Sequence, residues 1–160
     1  MKVSLLALLG LFVLIDANTL LRAEEDDKKV WRLTVETDGP TLEYGTDNVE
    51  DIPISFSCTP GKGPVAVWIN ETGRGVKANR SMTATLTAGR TVSRVRGKTL
   101  PNEEAGTPSF SGTLPVSDPL FAALSKERIL VFVVGPSRDE VLLQDIGDKA
   151  DRFSRLCQKK

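Results

Sequence analysis

Two cysteines, one basic stretch and a few adjacent carboxylates are the side chains of this 160-residue chain that could do chemistry, and histidine is absent. Without histidine, the chain alone cannot assemble a Ser-His-Asp triad, a Cys-His dyad or a histidine-bearing zinc site, and two cysteines cannot form a four-cysteine site. Ser-x-x-Lys does not occur either, which removes a common acylation motif. Gly61, Lys62 and Gly63 have the flavour of a phosphate-binding loop. The full pattern of Gly, four residues, Gly-Lys and then Ser or Thr is not met, and with Pro64 next the segment reads as a hairpin turn. Glu103 and Glu104, and Asp139 and Glu140, are neighbouring acids. Glycoside cleavage needs two carboxyls held about 5 to 9 Å apart, which adjacent loop residues rarely meet. No catalytic, metal or cofactor site is expected, and the chain reads as a non-enzyme.

The most distinctive surface feature is charge segregation. Between residues 71 and 98 stand Arg74, Lys77, Arg80, Arg90, Arg94, Arg96 and Lys98, against Glu71 alone. Overall the chain balances 21 basic against 21 acidic side chains, so the asymmetry is internal: residues 24 to 58 are strongly acidic. If the basic stretch lies on strands, Arg90, Arg94 and Arg96 share a face by parity. Such a face could hold an anionic polymer such as surface polysaccharide, lipid headgroup or nucleic acid. The plainer reading is a solvated sheet face pairing with the acidic first third. Aromatic residues are not interleaved with the cations, so specific nucleic-acid binding is not expected. Asn70-Glu71-Thr72 and Asn79-Arg80-Ser81 fit the glycosylation acceptor pattern.

The two cysteines point to compartment and fold together. Lys2 precedes an apolar run from Val3 to Ile15, interrupted only by Ser4 and Gly10. As a helix that run would reach about 20 Å, short of the roughly 30 Å hydrocarbon core. It therefore reads as a signal peptide over residues 1–23, with cleavage after Ala23 or, second, Ala17, and no later segment could span a membrane as a helix. Export leads to the periplasm or, second, to secretion. In an oxidising compartment Cys58 and Cys157 are expected to form a disulfide.

Residues 24–29 are a charged leader, and residues 30–160 are expected to make one β-rich domain. Trp31, Leu33 and Val35 alternate with polar residues, and Thr41 to Tyr44 follows a turn at Asp38 to Pro40. Ile52, Ile54, Phe56 and Cys58 alternate with Pro53, Ser55 and Ser57, so Pro53 marks an edge strand or the start of one. Val65 to Ile69, carrying Trp68, reads as a more fully buried strand. Met82, Ala84 and Leu86 alternate with threonines and return through Gly89 into Arg90 to Arg96, so that most of the basic residues fall on strands. Lys98 to Pro108 lacks periodicity and reads as a mobile loop. Ser109 to Leu114 is a further strand, and Asp118-Pro119 opens a short helix to Leu124. Ile129 to Val134 is apolar throughout and reads as central, with Val141 to Leu143 as a brief partner. Ile146, Ala150, Phe153 and Cys157 form one stripe of a terminal helix. The sum is a β-sandwich or flattened barrel of about eight strands with a short helix and a C-terminal helix.

In layout the chain resembles small exported proteins of Gram-negative bacteria. The residues that carry this are Phe56-Ser57-Cys58 ahead of a Trp-bearing strand, Ser117-Asp118-Pro119-Leu120, and Phe153-Ser154-Arg155-Leu156-Cys157. More distantly it is similar to the invasion-associated locus B type of envelope protein, though with fewer cysteines. The resemblance implies an exported, β-rich, disulfide-bonded domain. The function expected is a non-catalytic envelope binding or accessory module whose basic face meets an anionic polymer or envelope protein. The alternative is a small secreted inhibitor of a hydrolase presenting a loop such as residues 98–108.

Overall fold

A computed structural model describes residues 29–46, 51–70 and 72–159. The signal segment, its cleavage positions Ala17 and Ala23, the leader residues 24–28 and Glu71 lie outside the described residues. The chain is mainly β, with strands β1 (Val30–Glu36), β2 (Gly39–Gly45), β3 (Ile54–Ser57), β4 (Val65–Ile69), β5 (Ser81–Ala88), β6 (Thr91–Leu100), β7 (Ser109–Leu114), β8 (Ile129–Val134) and β9 (Ser137–Leu142). Helix α1 (Leu120–Leu124) lies between β7 and β8, and α2 (Gly147–Gln158) follows β9. All nine strands join one antiparallel sheet in the order β1-β2-β3-β4-β7-β6-β5-β8-β9. The sheet curls into a half-barrel, closer to the flattened barrel than to a two-sheet sandwich. Its concave side and the two helices enclose one core containing Trp31, Phe56, Phe110, Phe121 and Phe153.

In the curled sheet two neighbouring backbones come close together, and glycines mark the place. Gly97 on β6 pairs directly with Gly112 on β7. A Cβ on Gly97 would lie 2.1 Å from the Ser111 carbonyl oxygen, and one on Gly112 would lie 2.6 Å from Val95. The Phe110 ring covers both, approaching those Cβ positions at 2.8 and 3.0 Å. Absent side chains let the two backbones close, and one aromatic ring fills the space they leave.

The tail is stapled back as its stripe predicts. Ile146, Ala150, Phe153 and Cys157 are all buried, and Cys157 is bonded to Cys58 with Cα atoms 5.8 Å apart. Beside the bond, the Gly61 N–H donates to the Cys157 carbonyl at 3.2 Å, which satisfies one of the end carbonyls of α2. Asp148 in its first turn and Arg155 in its last complement the helix dipole. Asp118 starts α1: its Oδ1 accepts from the Leu120 N–H at 2.9 Å and from the Ser93 hydroxyl.

Four expectations need correction. Pro53 immediately precedes β3, which lies inside the sheet between β2 and β4, so the strand-start reading holds and the edge reading does not. β8 is not central but second from the end, and Ser137–Leu142 pairs along its whole length. Its outward residues Ile129, Val131 and Val133 are therefore only partly covered. β6 continues through Leu100, because pairing with β7 outlasts the apolar alternation, and this shortens the aperiodic segment to residues 101–108. That segment is tethered: Asn102 Nδ2 donates to Asn70 Oδ1 at 2.9 Å and to Ser109 Oγ at 3.0 Å, while Asn102 Oδ1 accepts from the Ala105 N–H. Finally, Trp68 does not belong to a strand buried on both faces. Val65, Val67 and Ile69 are buried, whereas Ala66 and Trp68 face out.

Candidate functional site

The convex face of the sheet, around β4, β7, β6 and β5, carries part of the basic set expected from the sequence. On β6 the inward positions Ser93, Val95 and Thr99 are buried, and Arg94, Arg96 and Lys98 stand exposed on the other side. Strand alternation alone produces this split. Their cross-strand neighbours are small and hydroxylic: Arg94 pairs with Thr85, Arg96 with Thr83 and Thr113, and Lys98 with Ser81 and Ser111. Short neighbours leave the three cations uncovered. Among the described residues none of the three has an ion-pair partner; the ion pairs there are Lys29 with Asp51 at 2.7 Å and Arg32 with Glu43 at 3.2 Å.

The other basic candidates fall elsewhere. Arg90 sits in the two-residue turn between β5 and β6 rather than on the strand, because the hairpin closes at Ala88 and Thr91 with Gly89 at φ 57°. It therefore does not share the strand face with Arg94 and Arg96. Arg74, Lys77 and Arg80 are exposed on the connection from β4 to β5, a loop and not a strand. That loop is held to the end of β6, where the Thr99 hydroxyl donates to the Lys77 carbonyl at 2.6 Å and accepts from the Arg80 N–H at 3.0 Å. So the sheet brings three of the seven basic candidates onto one strand face and places the rest at its ends.

Two residues of this face were not singled out by the sequence reading. Arg138 on β9 lies in register with Val133, Thr85 and Arg94, extending the cationic row across β8. Trp68 lies in register with Ser111 and, beyond it, Lys98. The alternation of Val65, Val67 and Ile69 with Ala66 and Trp68 contained the second signal, since it puts every aliphatic of that strand on one side. The register that sets Trp68 beside Lys98 joins segments remote in sequence and has no local signature.

A separate cavity of about 330 Å³ opens where the β1–β3 side of the sheet meets β8 and β9, lined among others by Lys29, Tyr44, Asp51, Asn70, Phe132 and Asp139. Asp139 accepts from the Ser137 hydroxyl at 3.3 Å. Asp139 and Glu140 both border this cavity, though as successive strand residues their side chains leave the strand on opposite sides. Among the described residues there is no group of three or more His, Cys, Asp or Glu side chains placed to hold a metal ion. No helix there is long and apolar enough to cross a membrane. Comparison of the chain with protein-family models, curated proteins and solved structures returns no match.

Proposed function

We propose that the protein is a non-catalytic exported envelope module that binds an anionic polymer through the outer face of β6. The observation that carries this reading is the row of Arg94, Arg96 and Lys98, exposed on one strand face without an ion pair among the described residues. Cations crowded on one strand face repel one another and lower their mutual energy by gathering counter-charge from outside. Export is supported by both cysteines being consumed in one bond, as suits an oxidising compartment.

The test is a titration of purified protein with a flexible polyanion, polyphosphate, at several salt concentrations. Binding is expected to weaken by roughly an order of magnitude between about 50 and 200 mM salt, as counterion release by a few contacts requires. Arg94→Glu, Arg96→Glu and Lys98→Glu together are expected to abolish it, while Arg152→Glu on the exposed side of α2 leaves it intact. Binding that ignores both salt and the triple reversal would overturn the proposal.

A further inference from the structure

Trp68 gives the cationic face a second chemical character. Its indole is 37% exposed, and it is the one aromatic side chain among the exposed large apolar residues described. The side chains beside it on this face are small and leave it partly exposed: its cross-strand partners are Ser55 and Ser111, and Ala66 is the preceding residue on the same face. Two strands away in the same row is Lys98, and in the next row Thr113 separates Ala66 from Arg96. Strands lie about 4.8 Å apart, so the indole and the Lys98 stem are separated by about 10 Å across the face. Beside Trp68 on the other flank is the hydrogen-bonded cluster of Asn70, Asn102 and Ser109, in which the Ser109 hydroxyl also donates to Asn70 Oδ1 at 3.0 Å.

A partly exposed indole, hydroxyls around it and cations two strands away suit a ligand that is apolar on a ring face, hydroxylated at its rim and negatively charged. Those properties coincide in a pyranose ring carrying a carboxylate. We infer that this face binds an acidic polysaccharide, with one uronate ring stacked on Trp68 and carboxylates along the polymer within reach of Lys98 and Arg96. The inference rests on the anionic-polymer reading and narrows it to one class of polymer. Stacking contributes apolar contact that a simple anion cannot make, and the charge-assisted contacts to Lys98 and Arg96 set the sign of the ligand.

The experiment compares polygalacturonate with polyphosphate, a polyanion without rings, dextran, which has rings without charge, and an oligothymidylate. Trp68→Ala is expected to weaken polygalacturonate binding by about ten-fold and polyphosphate binding by less than about two-fold, since only the former uses the ring. Trp68→Phe is expected to recover part of the loss. Dextran is expected not to bind. As a readout independent of the variants, polygalacturonate is expected to shield the wild-type indole from acrylamide quenching while polyphosphate does not; Trp31 is 1% exposed and contributes little to that signal. An unchanged polygalacturonate affinity in Trp68→Ala, equal losses for both polyanions, or tighter binding of oligothymidylate would overturn the inference while leaving the broader reading standing. Failure of every polyanion to bind the wild-type protein would remove both.

Discussion

The Trp31 indole N–H donates to the Leu142 carbonyl oxygen at 2.8 Å, joining residues 111 apart in the chain and bringing the first strand of the curled sheet to the end of the last. Among the described residues no ladder pairs β1 with β9, and this side-chain bond bridges the seam where a closed barrel would have one. The ring is also packed against Tyr44 at 5.3 Å and Phe56 at 6.4 Å between centroids. Trp31→Phe keeps an aromatic ring and removes the donor. It is expected to destabilise the fold by about 1 to 3 kcal/mol in urea unfolding, and a smaller change would mean the seam closes without this bond.

The Cys58–Cys157 bond closes a separation of 99 residues. Cys58→Ser with Cys157→Ser is expected to cost up to about 4.5 kcal/mol, the loop-entropy limit, and to free α2 for amide exchange first. Mass measurement of unreduced protein is expected to show two hydrogens fewer than the reduced form.

The glycine pair predicts a sharper effect. A methyl group on Gly97 meets the Ser111 backbone oxygen, which cannot swing aside as a flexible side chain would. Gly97→Ala and Gly112→Ala are each expected to destabilise by about 1 to 3 kcal/mol, with Phe110 displaced in the resulting structures. Wild-type stability in either variant would show that the close approach does not depend on the missing side chains.

Asp118 serves two donors at once, the Leu120 N–H and the buried Ser93 hydroxyl. Asp118→Ala leaves both without their acceptor, and a loss of about 1 to 2 kcal/mol is expected. Asp118→Asn keeps one acceptor oxygen and is expected to retain most of the stability. Thermal melts of the two variants distinguish capping from mere charge.

The sequence was most informative where one period ran undisturbed. The stripe from Ile146 to Cys157 and the capping pair Asp118-Pro119 placed both helices, and the disulfide followed from cysteine count. Ile129 to Val134 was misread because an apolar run normally means burial on both faces. Here Ile129, Val131 and Val133 line an outer face, and only the strand order shows why they are no more than partly covered. The candidate site was half visible for a related reason. Parity on one strand puts Arg94 and Arg96 together, but Trp68, Ser111 and Lys98 become neighbours only through two ladders between segments distant in sequence. Arg90 failed because a hairpin turn consumed it, and hairpin length shifts by a residue without changing the pattern around it.

A chain with two cysteines and one staple has a narrow repertoire of covalent errors. Scrambling within a molecule is impossible, since each sulfur has only the correct mate. Every wrong linkage must join two polypeptides, at a rate that grows with their concentration while correct closure does not. Until residue 157 has been made, the thiol at residue 58 has no mate in its own molecule. Any cross-linked oligomer would therefore report on crowding during that interval and not on ambiguity of pairing.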